Sequence, residues 1–167
     1  MKRLGIITTL TMLLIAVSAS VALAAINPAN APSGTHLQSG AIGCAVDPTT
    51  KVVTCSSFEL AGVGNTNANV RLVASYSGTV DCTNNGGNLV ESHTTTFNSS
   101  DTFTATSSKN GRLAVRSATA NPGSVGQVCP NPNWTPSIRS GTLTLNSFTY
   151  TLTFAGFPGA YITITGP

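Results

Sequence analysis

The side chains of this sequence that could do acid and base chemistry are few and scattered. Its carboxylates lie far apart along the chain: Asp47, Glu59, Asp81, Glu91 and Asp101. A glycosidase needs two carboxylates that face each other across a cleft, and only Glu59 and Glu91 stay open as such a pair. The other three are expected in a turn, on the polar side of a strand and at the start of a hairpin, where solvent contact or turn capping accounts for them.

The two histidines, His36 and His93, offer no better basis for catalysis. A Ser-His-Asp hydrolase would have to recruit one of them, and the sequence has no G-x-S-x-G motif. No close group of ligands has the spacing of a transition-metal site, and no Asp-rich loop suits calcium. We therefore expect a protein that is not an enzyme and that has no catalytic residue, no metal site and no cofactor.

The segment 129–136, CPNPNWTP, is the most distinctive stretch for binding. Its three prolines stiffen an extended loop that carries the only tryptophan of the chain, Trp134, beside Asn131 and Asn133. A sugar ring can stack on an indole while amide groups bond its hydroxyls, so these three residues are the predicted ligand site. The alternative is that Trp134 packs over a nearby disulfide, as aromatic residues do in many β-sandwiches.

The first 24 residues have the pattern of a signal peptide. Lys2 and Arg3 precede an apolar run over residues 4–17, and the small-x-small pattern at 22–24 predicts cleavage after Ala24. No later apolar run is long enough to span a membrane, so we expect a secreted, extracellular product without a membrane span.

The charge balance excludes whole classes of partner. Only 8% of the residues are charged, and without Lys2 and Arg3 six basic side chains remain against five acidic ones. Such a surface steers neither nucleic acid nor anionic lipid, so no nucleic-acid partner is expected.

Four cysteines, an even number, predict two disulfides in an exported chain. The sequence DPTTK at 47–51 is typical of a turn between two apolar runs, which would place Cys44 opposite Cys55. Cys82 and Cys129 are then left as the second pair.

The order of apolar and polar residues indicates strands throughout the exported chain. Residues 70–82 alternate with period two and run into Asn84-Asn85-Gly86-Gly87, where the Asn-Gly pair predicts a tight hairpin that returns from Leu89. A second Asn-Gly, at 110–111, predicts another hairpin, in which Phe103 and Ala105 would face Leu113 and Val115. The apolar parity changes at 146–147, which predicts a β-bulge or a crossing between sheets.

These patterns together predict an all-β protein. About eight short strands with turn signals between them are typical of an antiparallel β-sandwich, with Greek-key order as one arrangement. We expect an extended N-terminal leader at 25–37 and a single sandwich domain at 38–167.

Four motifs also resemble a widespread family of small secreted bacterial proteins of unknown function. They are LAGVGN at 60–65, CTNNGGN at 82–88, KNG at 109–111 and CPNPNW at 129–134. The resemblance runs from Val53 to Leu145 and implies export and an all-β domain, but no activity. Members of that family commonly have proline where this chain has Asn85.

The function expected from these observations is binding or structure without catalysis. The leading hypothesis is a secreted β-sandwich that binds carbohydrate or cell-envelope material through Trp134, Asn131 and Asn133. The alternative is a structural or self-assembling extracellular surface protein, because its polar faces are neutral and exposed strand edges are expected. A secreted protease inhibitor that presents a rigid, disulfide-bounded loop is a third hypothesis.

Overall fold

The computed structural model describes residues 21–123, 125, 126 and 128–167. They form thirteen strands and one short 3-10 helix, Pro28–Asn30. The strands are β1 Val21–Leu23, β2 Ala25–Ile26, β3 His36–Gly40, β4 Gly43–Val46, β5 Val53–Cys55, β6 Phe58–Ala61, β7 Ala68–Thr83, β8 Leu89–Ala105, β9 Arg112–Val115, β10 Ala118–Ala120, β11 Thr135–Ile138, β12 Thr144–Phe154 and β13 Ile162–Gly166.

One layer of the fold is a sheet built around β7. Strand β8 pairs with one side of β7 along its whole length, and β12 followed by β11 pairs with the other side. Strand β13 lies outside β12, and β2 lies outside β13. All of these pairings are antiparallel, as the sequence predicts.

The second layer consists of three kinked chain segments. Each segment contributes one strand to the sheet β3-β6-β9 and another to the sheet β4-β5-β10, and β1 lies beyond β4. The segments are 36–46, 53–61 and 112–120. A short break without pairing divides each segment in two. These breaks and the shortest edge strands raise the number of strands to thirteen, against about eight expected from the hydrophobic runs.

Large apolar side chains from both layers fill the space between them. Tyr76, Tyr150 and Phe154 are among the largest fully buried residues. The Tyr76 ring stacks on Phe97 with centroids 5.8 Å apart, and its hydroxyl donates to the carbonyl of Ala120 across the sandwich at 3.1 Å. Burial raises the pKa of Tyr76 to about 12, so the hydroxyl keeps its proton and its role as donor. The predicted β-sandwich is therefore confirmed.

Both predicted disulfides are present, Cys44–Cys55 and Cys82–Cys129. Cys44 lies opposite Cys55 in the β4–β5 pairing, on either side of the turn at 47–51. Asp47 closes that turn, because its Oδ1 accepts from the amides of Thr49 at 2.8 Å and Thr50 at 2.7 Å.

The two predicted Asn-Gly hairpins differ from expectation. The β7–β8 connection is a five-residue loop at 84–88 rather than a two-residue Asn-Gly turn, and Gly87, not the Asn-Gly pair, has the positive φ of 76°. At 110–111 the tight turn forms with Gly111 at φ 74°, but β8 pairs with β7 and β9 pairs with β6. The predicted packing of Phe103 and Ala105 against Leu113 and Val115 as one ladder is wrong, because this turn leads from one layer to the other.

The sequence also predicts a bulge at 146–147. The β7–β12 register shifts between Leu145 and Ser147, which confirms the predicted bulge. Most of the predicted signal peptide, residues 1–24, lies outside the described residues, and its described end forms β1. The predicted leader, 25–37, holds β2, the 3-10 helix and the start of β3. Among the described residues no helix is long and apolar enough to cross a membrane.

Candidate functional site

The paired strands β7 and β8 extend beyond the end of β12. Strand β12 pairs with β7 only as far as Ser77, and β11 takes its place opposite residues 80–83. We call residues 79–93, with their closing loop, the hairpin extension. One of its faces carries Val80 and Cys82, both fully buried.

Trp134 covers that face. Residue 134 directly precedes β11, and Cys129 is bonded to Cys82, so the loop 129–134 is attached to the extension at both ends. The indole is half-buried and packs against the small cluster formed by Val80, Cys82 and Cys129. Trp134 thus packs over the disulfide, which is the alternative that the sequence suggested. Part of its side chain is also in contact with solvent.

The two asparagines of the loop have different surroundings. Asn131 shapes the loop, because its Oδ1 accepts from the Asn133 amide at 2.9 Å and its carbonyl accepts from the Trp134 amide at 3.0 Å. Asn133 is exposed. The three predicted ligand residues therefore lie on one short turn, with Asn131 as its structural member and Asn133 as the open amide.

Two further polar residues share this face of the extension. His93 is opposite Val80 in the β7–β8 register, and Glu91 is opposite Cys82, so their side chains lie on the side that Trp134 covers. The His93 Nδ1 lies 3.4 Å from the Glu91 Oε1 and makes no hydrogen bond among the described residues. The His93 side chain is 31% exposed and that of Glu91 is 40% exposed, so both are partly open to solvent on the face of the extension that Trp134 covers.

The sequence suggested Glu91 only as a partner of Glu59, and His93 only as a candidate histidine of a Ser-His-Asp hydrolase. The structure separates the two glutamates, because Glu59 lies on β6 and pairs with Arg112 at 2.7 Å. The sequence feature that could have revealed this arrangement is the alternation of inward and outward residues on β7 and β8. Together with the number of residues in the loop between the strands, it gives the pairing of residues 91 and 93.

The opposite face of the extension carries a charged group. Arg139 donates to both carboxylate oxygens of Asp81, at 2.7 and 3.2 Å, and to the hydroxyl of Ser92 at 2.8 Å. The Arg139 guanidinium lowers the pKa of Asp81 below its ordinary value. This carboxylate is ionised and fully engaged, which suits a fixed structural ion pair rather than a proton donor.

The remaining acidic residues are engaged in a similar way. Asp101 accepts two bonds from Arg116, both at 2.8 Å, and one from the Thr119 amide at 3.2 Å. It lies within β8 and does not open a hairpin. The Arg116 guanidinium, above all, lowers the pKa of Asp101, and backbone bonds within the turn lower that of Asp47. The other histidine, His36, is exposed at the start of β3.

Open depressions lie at another place, around the turn at 47–51. One of about 350 Å³ is bounded by that turn, by Pro122 and by residues 138–143, and its only ionisable side chain is Arg139. In the described part of the chain no three His, Cys, Asp or Glu residues stand close enough together to hold a metal ion. The chain matches no protein-family model, no curated protein and no solved structure.

Proposed function

We propose that this chain is a secreted, non-catalytic binding protein that holds carbohydrate or cell-envelope material on the face of the hairpin extension. Two disulfides are compatible with an extracellular location, because such bonds persist in oxidising compartments. In this proposal the signal peptide is removed after Ala24. Mass spectrometry of the exported protein is expected to find Ala25 as its first residue.

The observation that carries the proposal is the way Trp134 is held. A disulfide on one side and the β11–β7 pairing on the other position a half-buried indole, so little side-chain freedom is lost when a ligand stacks on it. Asn133 is exposed next to Trp134 in the loop, and the half-exposed Glu91 lies opposite Cys82 on the same face of the extension, so both can supply hydrogen-bonding groups. An aromatic platform with a few polar groups is the usual form of a sugar-binding surface.

The experiment is a depletion assay with the exported, oxidised protein against insoluble polysaccharides, peptidoglycan and cell envelopes. Wild-type protein is expected to deplete saturably on at least one of these materials, and Trp134→Ala is expected to abolish that depletion. Asn133→Ala should weaken it, because one hydrogen bond to the ligand is lost. Phe157→Ala, which removes a half-buried ring remote from the extension, is the matched control.

Two results would contradict this proposal. One is the absence of depletion on every material, and the other is equal depletion by wild-type protein and Trp134→Ala. Thermal unfolding of each variant separates a lost binding surface from a lost fold.

A second candidate function is self-association, favoured by β8, which pairs only with β7 among the strands that the structure describes. Strand β8 has seventeen residues and contains neither lysine nor proline, two of the devices that natural sheets use to block edge pairing. Leu89 is 56% exposed and Val90 is 45% exposed at its start. Two copies could pair antiparallel through this edge.

Sedimentation of the oxidised protein over a wide concentration range tests self-association. Wild-type protein is expected to form dimers or larger species, and Val90→Lys should shift the equilibrium toward monomer because it places a charge at the edge. A protein that stays monomeric at the highest concentration would exclude this second function.

A further inference from the structure

The outward side of the β7 sheet is an array of hydroxyl groups. Outward residues on β7, β8, β12 and β13 are mainly threonine and serine, and we call their side chains the hydroxyl face. One row across the sheet consists of Thr102, Arg71, Thr151 and Thr163. The next row consists of Ser100, Val73, Thr149 and Thr165.

The spacing of this array follows from the sheet. Neighbouring strands lie about 4.8 Å apart, and residues two apart along a strand repeat at about 6.7 Å. Threonine side chains have a stiff χ1 angle, so their hydroxyl and methyl groups keep nearly fixed positions. Sheet twist limits the regular region to a few rows, of which those around Thr149 and Thr151 are central.

Many hydroxyls of the array are free to bond to something outside the protein. Thr149, Thr151, Thr163 and Thr165 make no side-chain hydrogen bond within the part of the chain that the structure describes, although each is exposed or half-buried. A hydroxyl both donates and accepts, as a water molecule does. These hydroxyl groups are therefore available to bond to a partner, and they repeat at regular positions across the sheet.

The chemistry of the hydroxyl face limits the kinds of partner that it can bind. Among the described residues of these four strands, the aromatic side chains all lie at inward positions. They are Tyr76, Phe97, Phe103, Phe148, Tyr150 and Phe154. A sugar ring therefore has no aromatic ring to stack on at the hydroxyl face. In the two central rows the only charge is Arg71, which makes no ion pair in the described chain. A neutral, rigid and periodic partner made of small donor and acceptor groups fits best.

We propose that the hydroxyl face binds the surface of ice. Ice presents a regular lattice of water molecules that donate and accept in the same way as the hydroxyls. This surface is on the other side of the sheet from Trp134, so the inference does not depend on the proposed carbohydrate site.

Partition into slowly growing ice, together with thermal hysteresis, tests the proposal on the exported, oxidised protein. Wild-type protein is expected to enrich in the ice fraction, and Thr149→Lys should lose this enrichment because a second hydrated charge, added to that of Arg71, interrupts both central rows. The matched control is Thr54→Lys, at an exposed position of β5 in the other layer. Arg71→Thr should increase the enrichment by completing a row.

Three results would overturn the proposal. Exclusion of the wild-type protein from ice would do so, as would equal enrichment of Thr149→Lys and Thr54→Lys. Adsorption to crystalline cellulose that Thr149→Lys abolishes, without enrichment in ice, would assign the face to a polysaccharide instead. Trp134→Ala is expected to enrich in ice like the wild type, which keeps failure of this proposal distinct from failure of the carbohydrate site.

Discussion

The sandwich core and the hairpin extension contain parts of the same two strands, yet they are held together in different ways. In the sandwich, β7 and β8 contribute Tyr76 and Phe97 to an interior that two layers enclose. In the extension the same strands contribute Val80 and Cys82 to a small cluster that one loop covers. The covalent bond to Cys129 and the indole of Trp134 replace a second layer there.

This difference shows where the molecule can tolerate a binding surface. The enclosed side chains of the sandwich pack against one another and are not exposed to a ligand, and their removal leaves a cavity. The extension keeps its shape through a disulfide and a stiff loop, so its polar groups can face solvent without loss of the fold. Four predictions sharpen this contrast, from the largest expected effect to the smallest.

The largest effect is expected in the sandwich. Phe154→Ala should lower the free energy of unfolding by an amount near the upper end of about 3–5 kcal/mol, because an enclosed ring is removed. Phe154 is 1% exposed and contacts Phe157 and Tyr161. Urea unfolding of the oxidised protein measures the change, and a loss below about 1 kcal/mol would mean that the two layers are not tightly packed.

The extension should depend mainly on its disulfide. Replacing Cys82 and Cys129 together by alanine should cost about 4 kcal/mol in the chain-entropy model, against about 3 kcal/mol for Cys44 and Cys55, because the bonds join residues 47 and 11 apart. Chemical denaturation of the two double variants gives both values. The reverse order would show that native contacts, rather than loop closure, set the value of each bond.

A smaller effect is expected for Trp134. Because the indole is only half-buried, Trp134→Ala should cost about 2 kcal/mol, less than the value for a fully enclosed aromatic ring. Hydrogen exchange should show faster opening at 80–83 and unchanged protection in β12. Equal acceleration in both regions would show that the extension and the sandwich open as one unit.

The smallest effect concerns acid. The Arg116 guanidinium holds the pKa of Asp101 below its ordinary value of about 3.9, so the ionised carboxylate favours the folded state. This stabilisation is present above about pH 4 and is lost as the pH falls through the lower folded pKa. Asp101→Asn should flatten that part of the profile of unfolding free energy against pH. A profile unchanged by Asp101→Asn would contradict the assigned ion pair.

Much of the fold could be predicted from local patterns. The period-two order of β7 placed its strand and its buried face, and the parity change at 146–147 identified the bulge. The turn at 47–51 was enough to pair Cys44 with Cys55. The stiff loop with Trp134, Asn131 and Asn133 was likewise visible as residue types in a short stretch.

The rest depended on contacts distant in sequence. An Asn-Gly pair specifies a tight turn but not the partners of the strands that leave it, so the turn at 110–111 joins two layers instead of forming one hairpin. Likewise, composition indicated neutral threonine-rich faces, but only the register of β7, β8, β12 and β13 aligned those residues in rows.

The sequence by itself determined the all-β class, the turn at 47–51 and the disulfide partners, because alternation, turn chemistry and spacing act over a few residues. Only the tertiary structure decided that Glu91 and His93 share a face with Trp134 and that the hydroxyls form an array. The physical reason is that strand pairing joins backbone groups irrespective of their distance along the chain. Which side chains become neighbours is therefore settled when the sheets assemble.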